Sequence, residues 1–428
     1  MADPGAKERI AQELVRPPHD ELGLPRPAYG GRSNANIVPS LVRALGGPRE
    51  GLLPPLERGL DPFDGRAPPG PVVVVVVDGL GWNSLQGALA ATDDPLLRRW
   101  SEPSDPITTV FPTTTVAALV SVSTGAAPAQ HGAAGYRLYL PGFGVVADLL
   151  KMMPVGLASP ESLVGPSWSP QVITDAPTIF RRLGTGVAIS RESFRSTGFT
   201  RLLYDGAEYR GYATASELAH ELARTLTSRP LPPIVYAYWD EFDTVQHLRG
   251  PAPRHARFEL ERLAHLLAHV AEDLGSAAQD VTVLLTGDHG QVEVRRELQL
   301  AVDEHPDLLA QMSRPIGGDR RGAYFAAAPG KEDGLARDLE RYLPPGSRRV
   351  GIPDALAGGL FGPGPWHPEI EVRLGTFLAL PVRGSGIVQH LPGATRPTRH
   401  LAGGHGGLEA DELLVPLVHA RLSELARR

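Results

Sequence analysis

The strongest constraint on this chain is an unbroken run of six valines, Val72 to Val77, stopped by Asp78-Gly79. β-Branched side chains are stiff about their first torsion and suit extended backbone. A strand without polar alternation has both faces covered, as inside a parallel sheet. Two further runs share this character, Ile234 to Trp239 and Val281 to Thr286. Helical patterns accompany them. Thr214 to Leu226 opens with Thr214 and Glu217 at capping-box spacing, and Phe258 to Leu274 places Leu263, Leu267, Val270 and Leu274 on one stripe. Alternating strands and helices predict an α/β fold whose central, mostly parallel sheet is sandwiched between helices.

Proline marks the rest of the organisation. Pro17, Pro18, Pro25 and Pro27 predict an extended leader, and the stretch from Pro54 to Pro71 a loop, so residues 1–70 read as an N-terminal arm and loop. Residues 71–428 read as one large domain interrupted at about 126–182 and 302–399 by segments rich in Gly, Pro and Ser. Both are too long for simple connectors, since structureless loops beyond roughly 12–15 residues are uncommon, and they are expected to form a cap.

A net charge of -6 argues against a surface that tracks a nucleic-acid polymer, which needs clustered cationic excess. The count of 0 cysteines removes disulfides, thiolate metal sites and a cysteine nucleophile, leaving histidine and carboxylate for any metal. With no secretory pattern at the start and no long apolar run, the expectation is a cytoplasmic protein without a membrane partner.

Each apolar run leads into aspartate: Asp78 after Val77, Asp240 and Asp243 after Trp239, and Asp288 after Thr286-Gly287. In an open parallel sheet the carboxyl ends of the strands share the ligand-binding edge, so several carboxylates converge there and repel one another unless a cation intervenes. Histidines follow the same geography. Asp243 and His247 are one helical turn apart, His289 adjoins Asp288 between two glycines, and His405 sits within Gly403-Gly404-His405-Gly406-Gly407. Singly these features are commonplace, as turns or solvated pairs. Jointly they offer the hard O and N donors that suit a pair of divalent ions. A nucleophile is expected from Thr113-Thr114-Thr115, because the following residues, Val116 to Val122, predict a buried helix whose N-terminus presents backbone N–H groups to a phosphoryl group. On the residues alone these threonines could equally serve as caps.

The stretches VVVVVVDGLGW, FPTTTVAALVSVSTG, WDEFDTVQH, LLTGDHG and GGHGG, in this order, resemble the nucleotide pyrophosphatase/phosphodiesterase branch of the alkaline phosphatase superfamily. The resemblance runs from about Val72 to the C-terminus. It implies an alkaline phosphatase-like three-layer sandwich with cap insertions, and a metal-dependent phosphoester hydrolase acting on a small phosphoester or nucleotide-like substrate. One zinc is implied on Asp243, His247 and His405, and a second on Asp78, Asp288, His289 and the Thr115 hydroxyl, with Mn2+ as the alternative to Zn2+. Thr115 is then the implied nucleophile, forming a covalent threonine intermediate that water releases.

One position departs from the family pattern. Where phosphodiesterases of this group carry an asparagine that binds a phosphate oxygen, this chain has Tyr136, and two readings stand: its hydroxyl donates the same bond, or the pocket is reshaped around it. His131 reads as a structural histidine, while Arg320 and Arg321 read as a solvated pair or an anion clamp. The competing readings are a phosphomonoesterase or phosphonate hydrolase on the same fold, and a non-catalytic metal-binding scaffold.

Overall fold

The computed structural model describes residues 5–157, 159–165, 168–391 and 401–426. Its larger sheet contains β1 (Val72–Val77), β2 (Ser104–Thr108), β3 (Val187–Arg191), β4 (Glu208–Tyr212), β5 (Ile234–Trp239), β6 (Thr282–Gly287) and β7 (Leu414–Arg421), in the spatial order β2-β7-β6-β1-β5-β3-β4. The run β6-β1-β5-β3-β4 is parallel, whereas β7 is antiparallel to both β6 and β2.

The valine run is explained by two cores. Val72, Val74 and Val76 enter one apolar cluster, and Val73, Val75 and Val77 the other. β5 repeats the division, with Ile234, Tyr236 and Tyr238 on one side and Val235, Ala237 and Trp239 on the other. Each fully buried valine stabilises the fold by roughly 1.5–3 kcal/mol relative to leaving it in water. Helices α1 (Ile37–Leu45) and α2 (Thr115–Thr124) cover the first face, and α3 (Ala215–Leu226) and α5 (Pro253–Leu274) the second, with α4 (Glu241–Arg249) following β5. All ten residues of α2 are buried, as its apolar sequence requires.

Two boundaries moved from expectation. The third strand is Thr282–Gly287, one residue later than predicted. α5 begins at Pro253 rather than at Phe258, because proline is compatible with a first helical turn, and the expected stripe of Leu263, Leu267, Val270 and Leu274 is buried.

The reading of the leader as an extended arm needs a larger correction. Residues Ala6–Leu14 and Ile37–Leu45 are helical, and α1 lies in the main core. Asn34 and Asn36 are buried, and the Asn34 Nδ2 donates to Thr109 Oγ1 at 3.2 Å and to the carbonyls of Gly287 and Asp288 at 3.1 and 3.4 Å. The segment therefore braces the end of β6.

A second, antiparallel sheet joins the two segments that interrupt the domain pattern. Its order is Arg348–Gly351, Phe377–Leu380, Gly322–Phe325, Gly317–Asp319, Arg137–Leu140, Val145–Asp148 and Met153–Pro154. Among the described residues no helix is long and apolar enough to cross a membrane.

Candidate active site

Strand register does the first part of the assembly. Val77 pairs with Gly287 and with Trp239, so the residues that follow, Asp78, Asp288 and Asp240, emerge at one edge. The backbone turns away at once after β1: Gly79 adopts φ +75, which favours glycine, and a Cβ there would also crowd Asp243 Cα at 3.1 Å. The first turn of α4 carries Asp243, and His247 follows one turn on. His405 follows a short two-stranded antiparallel ribbon that pairs Val292–Glu293 with Gly403–Gly404.

These side chains meet. Asp78, Asp288 and His289 each offer a donor atom, all within 4.8 Å of one another, and so do Asp243, His289 and His405. His289 thus stands between the two groups. His247 joins through Asp243, its Nε2 being 3.2 Å from Asp243 Oδ2. The His289 and His405 rings stack at 3.8 Å between centroids, and those of His247 and His405 lie 5.2 Å apart.

The tautomers are fixed by the backbone. Nδ1 of His247, His289 and His405 lies 3.1, 3.1 and 3.0 Å from the carbonyls of Gly403, Gly290 and Thr113 respectively. A carbonyl only accepts, so each Nδ1 carries a proton and each Nε2 is turned toward the cluster, as metal-ligating imidazoles are arranged.

The carboxylates are oriented in the same way. Tyr238 donates to Asp78 Oδ2, Gln291 donates to Asp243 Oδ1, and Asp288 Oδ1 accepts from Gly79 N–H at 2.9 Å and His289 N–H at 2.8 Å. The other oxygens, Asp78 Oδ1 and Asp288 Oδ2, are buried without any donor, and both lie 3.5 Å from His289 Nε2. Buried acceptors with no hydrogen-bond donor are costly, and a divalent cation among them would satisfy all three. The donor set therefore fits a metal.

The electrostatics agree. In the absence of a cation, burial and then the charges of Asp288 and Asp243 push Asp78 well above the ordinary carboxylate range. Burial, with Asp243 next among the raising influences, pushes Asp288 up to about 6. Burial and the neighbouring His289 lower His405 to about 4. Asp243 goes the other way: burial would raise it, but His247 holds it well below the usual range. Carboxylates crowded until they resist ionisation mark a place built for positive charge.

The three threonines separate cleanly. Thr113 Oγ1 donates to the Gly407 carbonyl at 2.9 Å and accepts from Gly406 N–H at 3.0 Å, and Thr114 Oγ1 donates to Asp319 Oδ2 at 2.9 Å. Thr115, the first residue of α2, points its Oγ1 at His289 Nε2, 3.1 Å away.

Other residues singled out from sequence lie elsewhere or do other work. Asp240 accepts from Arg191 Nε at 2.7 Å. His131 is buried, with Nε2 at 2.9 Å from Ser121 Oγ and Nδ1 accepting from Ala133 N–H. Arg320 and Arg321 are not a solvated pair: Arg320 donates to the Leu401 carbonyl, and Arg321 is buried against Glu412. Tyr136 gives its one hydroxyl proton to Asp148 Oδ2 at 2.7 Å, so donation to a phosphate oxygen requires exchanging that bond.

Sequence reasoning missed several contributors. Asp319, on the second sheet, reaches Thr114 and lies 3.6 Å from His405 Nδ1. Its Gly-Gly-Asp setting was the available signal, overshadowed by the arginines after it. Gln291, Tyr238 and Asn34 carry no motif and become visible only through their contacts.

Comparison with solved structures places the fold. The chain is similar to murine ectonucleotide pyrophosphatase/phosphodiesterase 5, at 18% identity and TM-score 0.61 over 81% of this chain and 87% of that one. It is also similar to phosphonoacetate hydrolase from Sinorhizobium meliloti 1021, at 20% identity and TM-score 0.58 over 83% and 92%. No curated protein sequence matches significantly. The architecture is that of the alkaline phosphatase superfamily. Within it, the family model for "Type I phosphodiesterase / nucleotide pyrophosphatase" matches residues 72–406, and the chain belongs to that family. It is a phosphoric ester hydrolase of a metal-dependent family.

Proposed function

We propose that this hydrolase is a zinc-dependent phosphodiesterase or nucleotide pyrophosphatase that attacks a small, nucleotide-like phosphoester through Thr115. One observation carries the reading: of three consecutive hydroxyls, Thr115 alone faces the ligand cluster, at 3.1 Å from His289 Nε2, while its neighbours are tied to Gly407 and Asp319. Two divalent ions, one on Asp78, Asp288, His289 and Thr115 and the other on Asp243, His247 and His405, would supply Lewis-acid activation of hydroxyl and water and neutralise charge at phosphorus.

The chain's own residues supply the rest. Thr115 Oγ1 forms the bond to phosphorus as the alcohol or nucleotide leaves, and water later breaks that bond to regenerate the hydroxyl. Phosphoryl oxygens beside Thr115 meet the N–H groups at the start of α2, which have no partner within the helix. Tyr238 and Gln291 keep Asp78 and Asp243 turned toward the centre. The strands drawn from residues 137–154 and 317–380 are proposed to act as the cap that selects the substrate, with Tyr136 on it as a candidate contact. Cytoplasmic residence, and manganese in place of zinc, stay within this proposal.

Structural neighbours favour a second reading. Phosphonoacetate hydrolase has been solved with phosphonoformate, and an inactive form of the murine phosphodiesterase with AMP, so phosphonate and nucleotide chemistry both occur on this fold. Turnover of nitrophenyl phosphate against a nitrophenyl phosphodiester distinguishes the ester classes. Faster diester hydrolysis is expected, and a strong monoester preference would remove the proposal.

A further inference from the structure

Behind the ligand loops lies a buried ion pair that the chemistry above does not use. Arg321 and Glu412 are 1% and 0% exposed, and their Nη2 and Oε2 atoms are 3.3 Å apart. A pair this deep is weak evidence for stability, because desolvating both charges offsets their attraction, and an apolar pair of similar volume often serves as well. What is specific is where the remaining bonds go.

Glu412 Oε1 accepts from Gly407 N–H at 2.9 Å, two residues beyond His405. Oε2 also accepts from Glu409 N–H at 3.3 Å. The backbone carbonyl of the same residue accepts from Gly290 N–H at 3.0 Å, immediately after His289. Arg321 in turn donates through Nη1 to the carbonyls of Pro381, Val382 and Ser385 at 3.0, 2.7 and 2.9 Å, which anchors it beyond the end of Phe377–Leu380. The packing leaves no play: a Cβ at position 290 would lie 2.0 Å from the Asp411 carbonyl, and one at 407 would lie 2.7 Å from Glu412 Oε2.

One residue thus grips the loop of His405 with its side chain and the loop of His289 with its backbone. We propose that Glu412, oriented by Arg321, is a positioning residue for the divalent cations: it sets the spacing of His289 and His405 and thereby governs metal occupancy. This rests on the metal-dependent reading of the site. Partners outside the ligand set typically change metal affinity by about 10–100-fold when removed.

The test is titration of metal-free full-length protein with Co2+, read by its visible ligand-field bands and by equilibrium dialysis, in wild type, Glu412→Ala and Glu412→Gln. The expected result is a folded Glu412→Ala whose cobalt affinity is about tenfold or more below wild type, with altered band positions. Glu412→Gln should fall between the two, since its amide oxygen can still accept from Gly407 N–H. Circular dichroism establishes folding, and if the alanine variant does not fold, the glutamine variant decides. Affinity and spectrum equal to wild type in a folded variant would overturn the role of Glu412 and leave the metal centre standing. Failure of wild type itself to bind cobalt would overturn the metal reading, and this inference with it.

Discussion

In protein stripped of divalent ions, the contribution of Asp288 to stability should fall as the pH rises. Its carboxylate is fully buried, one oxygen accepting two backbone N–H bonds and the other facing Asp78 and His289 with no donor. Without a cation its folded-state value is pushed up to about 6 from an ordinary 3.8, chiefly by burial. A carboxyl raised in the folded state contributes its stability when protonated, below about pH 4, and loses it as the pH climbs through about 6. The gap is worth about 3 kcal/mol near neutrality.

Asp288→Asn keeps the shape and the acceptor for Gly79 and His289 but abolishes the charge. The metal-free variant should therefore be about 3 kcal/mol more stable than metal-free wild type near pH 7, with the difference vanishing near pH 4. Scaled by typical unfolding entropy per residue to a chain of 428 residues, this is a rise in Tm of about 3 °C. Differential scanning calorimetry of chelator-treated protein across that range is the assay. With excess zinc the order should reverse, because the asparagine is a poorer ligand. Equal stabilities near pH 7 without metal, or a difference that does not change with pH, would refute the electrostatic account.

Other outcomes follow from the same contacts. Thr115→Ala should lower turnover on the order of a thousandfold or more while metal content by atomic emission is unchanged, and an active variant would dismiss Thr115 as nucleophile. Thr113→Ala loses two buried hydrogen bonds around the His405 loop, and thermal denaturation should show about 1–3 kcal/mol of destabilisation. Asn34→Ala removes buried hydrogen bonds to Thr109 Oγ1 and to the carbonyls of Gly287 and Asp288, so a similar loss is expected in urea denaturation, together with weaker metal binding by dialysis. Asp319→Asn removes a negative charge beside His405, which should raise turnover of a dianionic monoester relative to a monoanionic diester several-fold in steady-state assays. An unchanged ratio would show that this carboxylate does not discriminate by charge.

What could be read from the sequence was what repeats or converges. Val72–Val77 and Ile234–Trp239 form strands with the expected bounds, because residues covered on both faces leave an unmistakable apolar run. The convergence of Asp78, Asp243, His247, Asp288 and His289 follows from strand ends sharing an edge, whereas His405, which arrives from a separate ribbon, was marked by its glycine-rich surroundings. Helix α1 was hidden because residues 1–70 were read from the prolines on either side of it, Pro17 to Pro27 and Pro54 to Pro71, and not from its own apolar sequence. His289's position between the two ligand groups, the reach of Asp319 from another sheet and the grip of Glu412 were invisible for a common reason. Each depends on contacts between segments far apart in the chain, and no local period encodes them.

The shared antiparallel sheet has a consequence for how such a protein can diverge. Gly318 pairs with Arg137, so the strand at 317–319 closes an edge that the hairpin at 137–148 would otherwise leave bare. Exchanging either segment alone with a relative would expose unsatisfied backbone along that seam and invite association with other chains. New substrate preferences on this scaffold are therefore expected to arise from paired changes in both segments, and grafting experiments should move them as a unit.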